Sequence, residues 1–174
     1  MYQFLYPPGL FCYNESINWD LITNVILLSS FLILAVFGVL GLVELITRKS
    51  LKKVDKPLLR MLIPLALTAI TYIVFDKFWI LNVRPDGSGE PSFPSSHVLA
   101  VATIFALVAI ALPSYVKSKT ARAVLYLLML ALTVLVSVGR VLANKHWPSD
   151  VAGALGFAAI NALIYYLIIK EPKK

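Results

Sequence analysis

Cysteine is nearly missing from this chain, Cys12 being the only one. An intrachain disulfide and a cysteine-built metal site are therefore both excluded. Charge is scarce as well: Asp, Glu, Lys and Arg make up 14% of residues, where a soluble domain carries about 25%. Hydrophobic residues make up 59% and mean hydropathy is +0.82. That leaves too little polar sequence to cover a water-facing surface. Acidic residues are the scarcer sign, nine against 16 Lys and Arg, for a net charge of +7. Such an excess draws nucleic acid only when basic side chains gather on a soluble face. Here they stand in short clusters between apolar runs, so no nucleic-acid partner is expected. Internal repeats and low-complexity segments are also lacking. Nothing marks a linker, and residues 1–174 read as one integral membrane domain.

What is present is apolar sequence in lengths that match a bilayer, which takes about 20 residues of helix to cross. Five stretches qualify: 21–46, 61–83, 97–116, 123–143 and 151–169. The fold class expected is all-α, a polytopic bundle of five membrane helices. The first stretch is too long for a signal-peptide core and no basic residue precedes it, so it reads as a retained span. The second is interrupted by Asp76 and Lys77. Residues 1–20 are aromatic and carry two prolines, which suits an interfacial segment. Within them Asn14-Glu15-Ser16 matches a glycosylation sequon, a weak motif. Small residues in the fifth span (Ala152, Gly153, Ala154, Gly156, Ala158, Ala159) suit close helix packing.

The basic residues set an orientation. Arg48, Lys49, Lys52, Lys53, Lys56 and Arg60 lie between spans 1 and 2. Lys117, Lys119 and Arg122 lie between spans 3 and 4, and Lys170, Lys173 and Lys174 form the tail. With five spans all three segments fall on one side, which the positive-inside rule makes cytoplasmic. The remaining four, Lys77, Arg84, Arg140 and Lys145, lie at the opposite face and need another reason.

Three blocks on that outer face supply one. Lys77 and Arg84, followed by Pro85, end span 2. Seven residues are nearly two helical turns, so the two cations would share a face about 10 Å apart along the axis. A snorkelling lysine with an interface arginine is the plain alternative. Pro94, Ser95, Ser96 and His97 open span 3. The serines suit an N-cap, and a helix start is equally an anion site, with free N–H groups and the positive dipole end. Arg140, His146, Trp147, Pro148 and Asp150 join spans 4 and 5. Asp150 stands four residues after His146, within reach of the imidazole, although it would also suit the first turn of a helix. Both histidines of the chain fall in these blocks. Cations, a helix N-terminus, a His–Asp pair and a second His together equip a site for phosphoryl transfer.

The blocks resemble the three-part signature of the type 2 phosphatidic acid phosphatase (PAP2) superfamily: Lys-x6-Arg-Pro, Pro-Ser-Gly-His and Ser-Arg-x5-His-x3-Asp. Nine fixed positions agree between Lys77 and Asp150. Ser96 stands where the family has Gly, and Gly139 where it has Ser. Membrane members typically have six spans, and the first of these has no counterpart among the five read here.

The resemblance implies a lipid-phosphate phosphatase. It makes His146 the nucleophile, Asp150 its partner and His97 the acid and then base. Lys77, Arg84, Ser95, Ser96 and Arg140 would bind phosphate. Few acidic residues lie near the blocks, and no pair has metal-ligand spacing beside the histidines, so no metal and no cofactor are expected. Asp86 and Glu90 read as solvated turn residues, Trp79 and Trp147 as interfacial anchors, and Lys145 as either an interface lysine or a contact to a second phosphate. A small outward-facing member is similar to bacterial enzymes that recycle undecaprenyl diphosphate. Phosphatidylglycerophosphate, phosphatidate and a lipid A phosphate are the other candidates. Vanadate haloperoxidases share related blocks but are large and soluble. A non-enzymatic lipid carrier or a degenerate relative is the alternative of another class.

Overall fold

The computed structural model describes residues 17–170, and within them the chain is a bundle of five long helices. These are α1 (Trp19–Arg48), α2 (Lys56–Ile73), α3 (Ser96–Ala111), α4 (Lys119–Leu142) and α5 (Pro148–Lys170). The helical path of α2 continues through a wide π-type turn, Val74–Phe78, and that of α3 through a tight turn, Leu112–Ser114. With these continuations each helix is 19 to 30 residues long and apolar enough to cross a membrane. Among the described residues no strand forms; one bridge pairs Val83 with Pro91.

The spans differ from the sequence expectation at their ends, for reasons of helix chemistry. Asn18 accepts a hydrogen bond from the Leu21 amide at 2.9 Å. That cap starts α1 at Trp19, inside the segment expected to lie on the interface. Residues 1–16, with the sequon, lie outside the described residues. Span 2 was expected over 61–83, yet the helix runs from Lys56 to Phe78. Hydropathy finds the apolar middle, whereas Pro57 suits a first turn and Lys56 and Arg60 continue the helix into the basic side.

The central helix is α3. Of its apolar window 61% is buried, against 17% to 22% for the other four. Val98, Leu99, Val101, Ile104, Phe105, Leu107 and Val108 are all within the core. A helix apolar on every side belongs in the middle of the bundle. The others turn Leu28, Leu32, Val39, Leu62, Leu127, Leu130 and Leu163 outward, each more than half exposed. An apolar outer wall of that extent is a lipid-facing surface. Asn161 donates to Thr68 Oγ1 at 2.8 Å and Tyr165 to the Pro57 carbonyl at 2.9 Å, tying α5 to α2.

Successive helices alternate in direction. Arg60, near the start of α2, donates to the carbonyl of Ile168 near the end of α5. At the other end, the starts of α1, α3 and α5 meet the ends of α2 and α4. All three motif blocks gather there.

Candidate active site

The connection between α2 and α3 forms one wall. After Phe78 the chain leaves the helix and doubles back on itself. The Ser92 amide donates to the Asn82 carbonyl at 2.9 Å and the Arg84 amide to the Glu90 carbonyl at 3.0 Å. Gly87 and Gly89 make the return with φ of 79° and 73°, a conformation that strains other residues. Lys77 and Arg84 therefore do not share a helix face, contrary to the expectation from their spacing. Lys77 lies in the π-type turn, 71% exposed, with its ammonium 2.7 Å from Asp76. A shallow cavity behind this loop is lined by Tyr72, Asp76, Arg84, Pro91, Phe93, Pro94, Ser96 and His146.

His146 is the most constrained group at the cavity. It follows a sharp turn at Asn144 (φ 56°) after α4 and is only 3% exposed. Its Nδ1 lies 2.8 Å from the Ser92 carbonyl, and Nε2 has no partner among the described residues. A carbonyl only accepts, so Nδ1 carries the hydrogen and Nε2 the lone pair. Burial lowers the His146 pKa to about 3; the charge of Arg140 adds to this, the Ser92 carbonyl opposes it, and Arg84 and His97 lower it further. The imidazole is thus neutral at physiological pH with one ring nitrogen available.

The direct bond expected between Asp150 and His146 is absent, the carboxylate standing 4.0 Å from Nδ1. Asp150, fully buried, binds three donors instead. Asn82 Nδ2 and the Trp147 amide lie at 2.9 Å, and the Ser92 hydroxyl completes the set. The carboxylate thereby fixes Ser92, whose own carbonyl holds the histidine. Asn82 and Ser92 went unnoticed in the sequence because Asn82 sits at a variable position of its block and Ser92 lies outside the blocks.

The start of α3 supplies the opposite wall. Ser95 occupies the N-cap position, fully buried, yet its hydroxyl caps nothing and has no partner among the described residues. Ser96, the first helical residue, borders the cavity. His97 places Nε2 2.7 Å from Asn24 Oδ1, while its Nδ1 is buried and unpartnered. Arg140, 4% exposed at the end of α4, meets Asp20 at 2.8 Å and Thr23 Oγ1 at 3.4 Å. Helix α1 thus joins a site expected from spans 2 to 5 alone. Its polar residues Asp20, Thr23 and Asn24 follow i, i+3, i+4 spacing on one helix face, a signal readable in the sequence.

Every cation at this end has a carboxylate neighbour. Besides Lys77 and Arg140, Arg84 pairs with Glu90 at 2.5 Å and Lys145 with Asp86 at 3.0 Å. Asp86 and Glu90 are therefore more than solvated turn residues. Burial opposes ionisation of Asp86, but hydrogen bonds from the Ser88 amide and hydroxyl, with Lys145, outweigh it and hold the pKa at about 2. Trp147 donates its indole N–H to the Val83 carbonyl at 2.9 Å, which pins the two connections together. Among the described residues no three His, Cys, Asp or Glu side chains gather where they could hold a metal ion.

Buried polar atoms in folded proteins are nearly always paired. Among the described residues seven side-chain atoms are not: Arg84 Nε, Ser95 Oγ, His97 Nδ1, Thr103 Oγ1, Tyr115 OH, Arg140 Nε and His146 Nε2. Five of the seven belong to residues of the three blocks. They are two guanidinium N–H donors, a hydroxyl and two imidazole ring nitrogens.

The family model of the PAP2 superfamily matches residues 11–174. The chain belongs to the PAP2 superfamily. Its fold is that of a membrane PAP2 protein. A crystal structure of the transmembrane PAP2-type phosphatidylglycerolphosphate phosphatase from Bacillus subtilis superposes with a TM-score of 0.63. The match has 24% identity and covers 87% of this chain and 74% of that one. No curated protein matches the chain.

Proposed function

We propose that the chain is an integral-membrane lipid-phosphate phosphatase working through a phosphohistidine intermediate, with undecaprenyl diphosphate as the first-choice substrate. The observation that carries this reading is the set of five unpartnered buried polar atoms on Arg84, Ser95, His97, Arg140 and His146. Desolvated donors without partners are costly, by about 1–3 kcal/mol each. A phosphoryl group bound between them would accept from the Arg84 and Arg140 Nε–H groups and the Ser95 hydroxyl, with the His146 Nε2 lone pair left to meet phosphorus.

In this scheme His146 Nε2 attacks the terminal phosphorus in line, and that phosphorus loses its bond to the leaving oxygen, the bridging oxygen of a diphosphate or the alcohol oxygen of a monoester. His97 gives its proton to the leaving oxygen, then takes one from the water that hydrolyses the P–N bond. Asp150, acting through Ser92 and through its charge at 4.0 Å, stabilises the positive ring that forms on His146. Arg84, Arg140, Ser95 and the Ser96 backbone hold the phosphate oxygens. Lys77 neutralises Asp76 at the cavity wall, so that this carboxylate does not repel the phosphate. The fixed cations do the charge work that a metal does elsewhere, so no divalent ion is required. Lys145, which shares Asp20 with Arg140, is the cation we assign to the second phosphate of a diphosphate. That is the observation favouring a diphosphate; phosphatidylglycerophosphate, which the structural neighbour's name carries, and phosphatidate are the alternatives. The basic segments put the α1–α2 and α3–α4 connections and the C-terminus in the cytoplasm, with the site facing the outer leaflet of the cell membrane.

The test is phosphate release from detergent-solubilised undecaprenyl diphosphate, phosphatidylglycerophosphate and phosphatidate with EDTA present, for wild type and His146→Ala. Release by wild type alone, with a loss on the order of 10³-fold or more in the variant, is expected. Equal release by both proteins would place the chemistry elsewhere. Silence of a folded wild type on every lipid would favour a carrier, and loss of activity only on adding EDTA would refute metal independence.

A further inference from the structure

His97, the acid and base of the proposed reaction, takes a side-chain hydrogen-bond partner from a helix that carries none of the three blocks. Asn24 sits just over one turn into α1, exposed on a helix surface that is otherwise largely apolar. An amide there is costly in lipid unless it is bonded. Its Oδ1 meets His97 Nε2 at 2.7 Å, and His97 Nδ1 is buried with no partner among the described residues. An amide oxygen accepts only, so Nε2 carries a hydrogen in both charge states of the ring. The proton that comes and goes is then the one on Nδ1.

We propose that Asn24 is a positioning residue for catalysis, holding His97 in the Nε2–H form so that Nδ1 carries out the proton transfers. The inference rests on the phosphatase reading above. In the first step the Nδ1 proton passes to the leaving oxygen as the P–O bond breaks and its electron pair moves to that oxygen. In the second, Nδ1 takes a proton from water as the water oxygen bonds to phosphorus and the P–N pair returns to His146. A neutral acceptor suits a ring that must change charge twice per turnover, whereas a carboxylate would hold it protonated. The charged and titratable groups around His97 are Asp20 of α1, Arg84 of the α2–α3 connection, Arg140 of α4 and His146 of the α4–α5 loop. Asn24 adds no charge to that set.

The experiment measures kcat and KM against pH in a shared detergent for wild type, Asn24→Asp, Asn24→Leu, His97→Ala and the double variant Asn24→Leu/His97→Ala. Melting temperatures are recorded alongside. Asn24→Asp keeps the acceptor and adds a charge, and is expected to move the alkaline limb of kcat/KM up by about one pH unit or more. Asn24→Leu is expected to lower kcat about tenfold with KM for the lipid nearly unchanged. In the double variant the leucine should cost nothing further, because Asn24 acts through His97. A merely structural asparagine would give an unmoved alkaline limb in a well-folded Asn24→Asp, or the same fold loss from leucine with and without His97; either result overturns the proposal. Wild-type rates in His97→Ala would overturn the acid–base role of His97 itself, and the Asn24 proposal with it. If the leucine variant does not fold, the limb position in Asn24→Asp decides.

Discussion

His146 shows how one side chain is left neutral with an open ring nitrogen. Its hydrogen is held on Nδ1 by the Ser92 carbonyl, its charge is suppressed by burial and by Arg140, and Nε2 is left open. Asp150 is one bond further away than the four-residue spacing suggested. All three of its partners, Asn82 Nδ2, the Ser92 hydroxyl and the Trp147 amide, are donors. Asp150→Asn would turn an amide NH₂ toward at least one of them and remove the charge that balances the imidazolium. We expect kcat to fall on the order of 10²–10⁴-fold while KM changes little; a fall of less than tenfold in steady-state assays would mean that Asp150 serves the fold alone. The residues proposed as catalytic were picked out in the sequence because both histidines and the unexplained cations fall in blocks that the span order brings to one end of the bundle. The Ser92 carbonyl was not, because a backbone acceptor leaves no mark on residue identity.

At the level of helices, α1 is the addition. Asn24 reaches His97 because α1 packs on α3, and Asp20 and Thr23 reach Arg140 because α1 lies close against α4, an approach that Gly139 allows. A Cβ on Gly139 would stand 2.7 Å from Thr23 Cγ2 and 3.3 Å from the Trp19 ring. Thr23 is fully buried and cannot withdraw. Gly139 replaces the serine of the family pattern, and Thr23 Oγ1, 3.4 Å from Arg140 Nη1, brings a hydroxyl to the same guanidinium from the neighbouring helix. Restoring the family residue by Gly139→Ser is therefore expected to destabilise the protein by about 1–3 kcal/mol. Thr23→Ser in the same chain should recover part of it by removing the obstructing methyl. Thermal melts of the single and double variants check this; a Gly139→Ser protein as stable as wild type would mean that α1 does not press on α4 there. The apolar runs located all five helices, but not where they start and stop. Caps, prolines and charged turns fix the ends, which is why α2 closes at Phe78 and Lys77 leaves the helix face shared in expectation with Arg84.

For the whole molecule, the up-and-down path carries the site residues of the motif blocks to one end of the bundle and the clustered basic residues to the other. That separation was legible from the order of spans and charges, and it predicts a sidedness. In a Cys12→Ser background, cysteine placed at Ser88 in the α2–α3 connection should react with a membrane-impermeant maleimide on intact cells. Cysteine at Lys52 or Ser118 should react only after the membrane is opened. The reverse pattern would put the site in the cytoplasm and withdraw outer-leaflet lipids as substrates. What the sequence could not give was the set of α1 contacts, which depend on how helices distant in the chain lean together.

The central claim is that phosphorus is transferred to His146, and rapid quenching tests it most directly. Wild type mixed with terminally ³²P-labelled undecaprenyl diphosphate and quenched in alkali should carry label that is stable to base and lost in acid. That label should map to the peptide containing His146 and be absent from His146→Gln. Label on any other residue, or label that survives in His146→Gln, would contradict the account.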